Sequence, residues 1–187
     1  MDALLDFLDK ARRWIRYDAE ADFYYQHFPS LVQNAELILR PMERKDIEVL
    51  ARIEAAAYEF PWEPETFRSC FKIGYHCWIG ERAREVVGYG ISTIGGGESH
   101  VLNLCVAPDW QGRGYGRAIL QKLIDEATRF KADSLFLEVR PSNPAAIRLY
   151  ESMGFNEIGM RKDYYPAARN GRENAIVMAR VLGLPGG

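Results

Sequence analysis

Between residues 102 and 120 the chain reads LNLCVAPDWQGRGYGRAIL, an apolar strand-like run, a proline turn, three alternating glycines and the start of an amphipathic helix. A strand delivered this tightly into a helix leaves little freedom in how the surrounding chain is arranged. Gly112, Gly114 and Gly116 let the backbone take positive φ and let a ligand approach it closely. At the helix start, unpaired amides and the positive end of the macrodipole both favour phosphate. Arg113 and Arg117 can add charge-assisted contacts. Two familiar phosphate loops do not match. A dinucleotide fingerprint requires glycine where Arg117 stands, and no lysine follows the glycines as a Walker loop requires. The pattern that fits is QxxGxG, over Gln111-Gly112-Arg113-Gly114-Tyr115-Gly116. The plainer alternative is a glycine turn that only starts a helix.

The flanking sequence alternates strand and helix patterns. Residues 37–40 read as a short strand broken by Pro41, and residues 45–58 as a helix with Ile47, Leu50, Ala51 and Ala57 inward. Phe60-Pro61-Trp62 is a loop, and Pro64 opens a helix to about residue 71. Residues 76–80, 86–94 and 99–106 read as strands, the last two joined by Gly95-Gly96-Gly97. Residues 117–130 form a helix with Leu120, Leu123, Ile124 and Ala127 on one face, and residues 134–140 a strand. Asn143 is a good N-cap, Pro144 suits the first helical position and Gly154 closes that helix. Residues 155–160 and 173–182 supply two last strands, with residues 161–172 a polar loop between them. The order implies an α/β (α+β) chain with a mixed sheet and helices on its faces. Leu4, Leu8, Ala11 and Ile15 lie at helical spacing, so residues 1–36 read as a helical extension with a connector over 22–33. Residues 37–187 form the main domain.

Several function classes have no support. The net charge of −2 gives no reason to expect nucleic acid or an anionic membrane as partner. Cys70, Cys77 and Cys105 form no CxxC pair and fit a reducing compartment. His27, His76 and His100 are scattered without HExxH, so no metal is expected, and there is no GxSxG elbow. Cys105 has no evident base beside it and reads as a small buried residue. Acidic residues open the chain and no segment is a long apolar run, so a cytoplasmic protein without a membrane span is expected.

The QxxGxG loop resembles the acyl-CoA pyrophosphate loop of the GNAT acetyltransferase superfamily. The segments SLFLEVRPSNPAAIRLYESMGF and RKDYYP, with Phe60-Pro61-Trp62, resemble its RimI-type branch, which acetylates the N-terminal alanine of a ribosomal protein. The similarity spans about residues 37–182. It implies a GNAT fold, a mixed and mostly antiparallel sheet splayed between the strand ending near Val106 and the one starting near Ser134. It implies acetyl-CoA as co-substrate, held by backbone at Leu104, Cys105 and Val106 and by the loop Gly112, Arg113, Gly114, Tyr115, Gly116 and Arg117. Asn143 falls beside the pantetheine arm, Glu138 on the general base and Tyr150 on the general acid. Phe60, Trp62, Tyr164 and Tyr165 fall on the walls of the acceptor groove, and the partner implied is a protein N-terminus. The chain departs from the pattern at its first 36 residues, at Ala107 in place of aspartate and at Asp163 in place of asparagine.

Residue chemistry agrees with these roles. An α-amine of pKa about 8 is roughly a tenth neutral near pH 7, whereas a lysine of pKa about 10.4 is far less so. The α-amine is therefore the easier acceptor for one carboxylate base. Glu138 stands inside the apolar run LFLEV, where partial burial suits a base; pairing with Arg140 or another cation is its plain alternative. Tyr150 can protonate a departing thiolate, or serve only as a core aromatic. Tyr164 and Tyr165 can also be surface hairpin residues, and Glu59, Glu63 and Glu65 can merely solvate the surface. Two other functions stay open: acetylation of lysine side chains or small amines, and a regulatory module that binds acetyl-CoA without turnover.

Overall fold

The protein was analysed as a computed structural model, which describes residues 36–169 and 171–183. The expected N-terminal helix and its connector lie outside the described residues. Seven strands form one sheet: β1 (Ile38–Pro41), β2 (His76–Arg82), β3 (Glu85–Gly95), β4 (Glu98–Val106), β5 (Ser134–Val139), β6 (Asn156–Ala167) and β7 (Gly171–Val181). Their spatial order is β1-β2-β3-β4-β5-β7-β6. Every neighbouring pair is antiparallel except β4 and β5. Pro41 ends β1 inside its ladder, which an edge strand tolerates because one side needs no donor. Gly96 and Gly97 turn β3 into β4 with φ of 62° and 82°, the two positive values that a two-residue hairpin requires.

Among the described residues, four helices cover the two faces: α1 (Ile47–Ala57), entered through a 3-10 turn at Arg44–Asp46, α2 (Pro64–Ile73), α3 (Tyr115–Arg129) and α4 (Pro144–Ser152). The core follows this division. Ile47, Leu50 and Ile53 of α1 and Phe67 of α2 pack with Ile79, Tyr89 and Ile91 on one face. Leu120, Leu123 and Ile124 of α3 pack with Leu135, Leu137, Val139, Tyr150 and Phe155 on the other. Gly90 marks how closely α3 lies on the sheet, since a Cβ there would stand 2.8 Å from Ile119 Cγ2 and 2.9 Å from Leu123 Cδ1. At the end of α4, Gly154 has φ 84° and the Phe155 amide donates to Tyr150 O, which closes the helix as expected.

Two features place the site. Strands β4 and β5 pair only between residues 98–101 and 134–137, although β4 runs on to Val106 and β5 to Val139. They therefore diverge, as the splayed-sheet expectation requires. The second feature is a bulge in β4: Val101 faces Ser92 and Asn103 faces Ile91, so Leu102 is an extra residue.

One expectation is corrected. Residues 161–172, read as a loop, belong mostly to a long β6–β7 hairpin. Residues 156–164 are all exposed, so no apolar alternation marks the strand. The ladder is also interrupted: Arg161 faces Ala175 and Tyr165 faces Glu173, leaving three β6 residues opposite Asn174 alone. Asp163 takes φ 51° in that bulge, and its amide donates to Asn174 Oδ1 at 3.0 Å.

Candidate active site

The gap between β4 and β5 is lined on one side by backbone. Ala107 donates to Val87 O at 2.9 Å, so by strand alternation Cys105 and Ala107 have their amides on the β3 side. Leu104 and Val106 have theirs on the gap side. Their carbonyls are already engaged: the Tyr58 hydroxyl donates to Leu104 O at 3.1 Å, and Gln111 Nε2 donates to Val106 O at 3.1 Å. What this strand offers a ligand is the pair of N–H groups of Leu104 and Val106. Cys105 differs from expectation here, because its backbone serves the sheet. Its thiol is pushed up to about 12 by burial, with Glu54 next to it adding in the same direction, so it stays protonated.

The glycine loop follows β4 through a 3-10 turn at Pro108–Trp110. Gly112 has φ 73° and Gly114, the N-cap of α3, has φ 85°. A Cβ at either position would meet nothing within 4 Å. These glycines are thus required by backbone conformation and by an approach from outside, not by internal packing. Gly116 is corrected: it sits in the first turn of α3 without positive φ, and a Cβ there would touch Leu149 Cδ2 at 3.4 Å. Behind the loop, Trp110 is buried, and its Nε1 donates to Glu85 Oε1 at 3.0 Å. Tyr115 packs edge-on to Trp110 at 5.8 Å and the Arg113 guanidinium lies 4.9 Å above the indole. Arg117 reaches the other way, to Ser152 Oγ at 2.6 Å.

Across the gap, Leu135, Leu137 and Val139 face the α3–α4 core, so Glu138 stands on the α1–α2 face of the sheet. Its side chain is 17% exposed and pairs with Arg161 at 3.1 Å, not with Arg140. Tyr150, on α4, is 7% exposed, and burial pushes its phenol up to about 12. Tyr165 is raised first by burial and then by the field of Glu138, with Tyr164 and Tyr150 adding to it. Tyr58 is raised by burial and further by Cys105, Glu54 and Tyr150. Glu138 and Tyr150 thus both act on Tyr165, and Tyr150 acts on Tyr58 as well. Asn143 caps α4 through Oδ1, which accepts from Ala146 N at 3.1 Å and leaves its amide NH₂ for a ligand.

The expected acceptor walls divide. Phe60, Tyr164 and Tyr165 are joined by arginines: Arg140 lies 6.0 Å from the Phe60 ring and 4.3 Å from that of Tyr165. Tyr165 packs edge-on to Tyr164 at 4.9 Å, Arg161 stands 5.4 Å from Tyr164, and Arg161 returns to Glu138. This chain of contacts runs unbroken from the α1–α2 loop to Glu138. Trp62 is not part of it; it packs on Phe67 at 5.7 Å.

Several site residues escaped the sequence reading. Arg140 is fixed by Glu173 at 3.0 Å and by Pro166 O at 3.0 Å, and Glu173 also accepts from the Ser142 amide at 2.9 Å. Burial opposes ionisation of Glu173, but these donors hold it below the usual carboxylate range. Glu54 is 2% exposed and accepts from the Tyr89 hydroxyl, Asn103 Nδ2 at 3.0 Å and the Trp62 amide at 3.2 Å. It ties the acceptor loop to the bulged end of β4. Its position on the inward stripe of α1, one turn after Leu50, was the available signal.

Residues 47–155 match the model of the acetyltransferase (GNAT) family. The chain belongs to the GNAT acetyltransferase family. It is an acetyltransferase that uses acetyl-CoA. It is 41% identical over 143 residues to the [ribosomal protein bS18]-alanine N-acetyltransferase of Escherichia coli K12, covering 76% of this chain and 96% of that one. It is 37% identical to the enzyme of the same description from Haemophilus influenzae, over 78% of this chain and 99% of that one. The crystal structure of the Escherichia coli ribosomal-protein-S18-alanine N-acetyltransferase superposes with a TM-score of 0.75 at 38% identity, over 81% and 97% of the two chains. Ard1 from Thermoplasma volcanium, at 24% identity and TM-score 0.70, shares the fold.

The geometry of this GNAT enzyme fits its cofactor on its own evidence. The open positive-φ glycines suit a diphosphate, and the two gap-facing amides suit an acyl carbonyl. Among the described residues, no cluster of three His, Cys, Asp or Glu side chains suited to a metal ion occurs, and no helix is long and apolar enough to cross a membrane.

Proposed function

We propose that the enzyme acetylates the free α-amine of a protein N-terminus, with the N-terminal alanine of ribosomal protein bS18 as acceptor, in the cytoplasm. The observation that carries this reading is the line of contacts from Phe60 through Arg140, Tyr165, Tyr164 and Arg161 to Glu138. It is a line of aromatic rings and guanidinium groups that ends at a carboxylate, which suits a peptide entering by its first residue. The relatives' described activity supports the same acceptor.

Acetyl-CoA supplies an acetyl group on a thiol leaving group. The amides of Gly114 to Arg117, at the start of α3, hold its diphosphate. The N–H groups of Leu104 and Val106 donate to the acyl oxygen as negative charge builds there. Glu138, paired with Arg161, takes a proton from the attacking amine directly or through water. Tyr150 keeps its proton until the thiolate leaves and then donates it. The amine attacks directly in a ternary complex, and Cys105 takes no part.

Purified enzyme is incubated with acetyl-CoA and one of four acceptors: an alanine-first bS18 peptide, the same peptide with a blocked N-terminus, an N-blocked lysine peptide, or a polyamine. Thiol release with the free N-terminus alone is expected. Release with the lysine peptide or polyamine instead would move the acceptor class, and cofactor binding without release would make the chain a regulatory module.

A further inference from the structure

We infer that the cleft beside the start of α3 is an anion subsite built by Arg117 and Arg180, and that it takes the ribose phosphate at the nucleotide end of acetyl-CoA. The inference rests on the cofactor reading above and concerns a part of the ligand remote from the reacting atoms.

The cleft has a volume of about 590 Å³ and lies between the first turns of α3 and the last turn of α4. Gly114 lines it as well as the glycine loop, so a ligand leaving the loop on this side enters it directly. Its lining includes two guanidinium groups and no carboxylate. Several other cations of the described residues are paired with acids. Arg40 is paired with Asp46 and Glu81, Arg68 with Glu48 and Glu65, Lys122 and Arg129 with Glu126, and Arg140 with Glu173.

Arg117 and Arg180 instead bond neutral acceptors and form no ion pair among the described residues. Arg117 Nη2 donates to Ser152 Oγ at 2.6 Å, and the Ser152 hydroxyl in turn donates to Leu149 O at 2.7 Å. Arg180 Nη1 donates to Met153 O at 2.7 Å, at the C-cap of α4. Each side chain is thereby held in place by one donor while the rest of its fork stays available. Two pre-positioned forks with uncompensated charge suit a phosphate dianion. Coenzyme A has such a group on its ribose, beyond the diphosphate that the loop holds. An adenine ring alone would need neither charge.

Calorimetric titration of coenzyme A and of dephospho-coenzyme A into the wild type and into Arg180→Gln tests the assignment without turnover. The wild type is expected to prefer coenzyme A by at least tenfold, on the order of a charge-assisted bond. Arg180→Gln should lose most of that preference, with dephospho-coenzyme A affinity unchanged, and Arg180→Lys should restore part of it. Melting of each variant checks the fold. Equal affinity of the wild type for both ligands would overturn the subsite while leaving the cofactor reading intact. So would an Arg180→Gln variant that weakens both ligands by the same factor, since that marks a structural role. Failure of the wild type to bind either ligand would remove the cofactor reading and the subsite together.

Discussion

The glycine loop before α3 and the β6–β7 hairpin are built on opposite terms. The loop offers backbone: amides at a helix start, two glycines at positive φ and a buried indole beneath. The hairpin offers side chains from an exposed, bulged strand, contacted by arginines that come from the residue after β5 and from β6 itself. A cofactor whose diphosphate never changes can be met by backbone, which does not vary with side-chain substitution. An acceptor that must be chosen among many proteins is met by side chains, which do. The two regions should therefore respond to mutation independently.

The largest effect is expected where the regions converge. Glu138→Gln should lower kcat by about 10²–10⁴, the usual share of a general base, with the affinity for acetyl-CoA unchanged. A comparable loss of cofactor affinity would mean that the carboxylate belongs to the cofactor side. Gly114→Val comes next. A β-branched residue at φ 85° costs on the order of 1–3 kcal/mol of backbone strain, so the acetyl-CoA KM should rise at least tenfold while the peptide KM holds. Arg140→Ala should do the reverse by a smaller factor. Losing a partly exposed cation–π contact and ion pair, at about 0.5–1 kcal/mol each, should raise the peptide KM roughly fivefold and leave the acetyl-CoA KM alone. A rise in both KM values for either variant would break the separation.

The smallest effect is a predicted flatness. Burial raises Tyr150 to about 12, so it remains protonated well above the pH at which an ordinary phenol ionises, about 10. Rates should climb as the acceptor amine loses its proton around pH 8 and then hold level to about pH 10. A falling limb below pH 10 that disappears in Tyr150→Phe would show the phenol ionising too early to act as the acid.

The same contrast explains what was legible in the sequence. The strand, glycines and helix at residues 102–120 were readable because backbone requirements are local: φ 73° at Gly112 and φ 85° at Gly114 leave glycine in the chain. The run of large apolar residues Leu135, Phe136 and Leu137 likewise identified β5, and Glu138 stood out against it. The start of β6 was read as a strand over residues 155–160, but its continuation to Ala167 was missed because residues 156–164 are exposed and its bulge breaks the period of two. The bulge at Leu102 and the partners of Glu138 were hidden for another reason. They depend on pairings between residues distant in the chain, such as Ile91 with Asn103 and Glu138 with Arg161. Glu54 itself was visible as an acid on an apolar helical stripe, where only a core role for the stripe was drawn.

Residue-resolved amide hydrogen exchange tests the central claim most directly, because that claim concerns backbone N–H groups. Saturating acetyl-CoA alone should slow exchange at Leu104, Val106 and the amides of residues 114–117, with residues 156–167 unchanged until the peptide is added. Protection of the hairpin by acetyl-CoA alone, or unaltered exchange at the loop under saturation, would contradict the account.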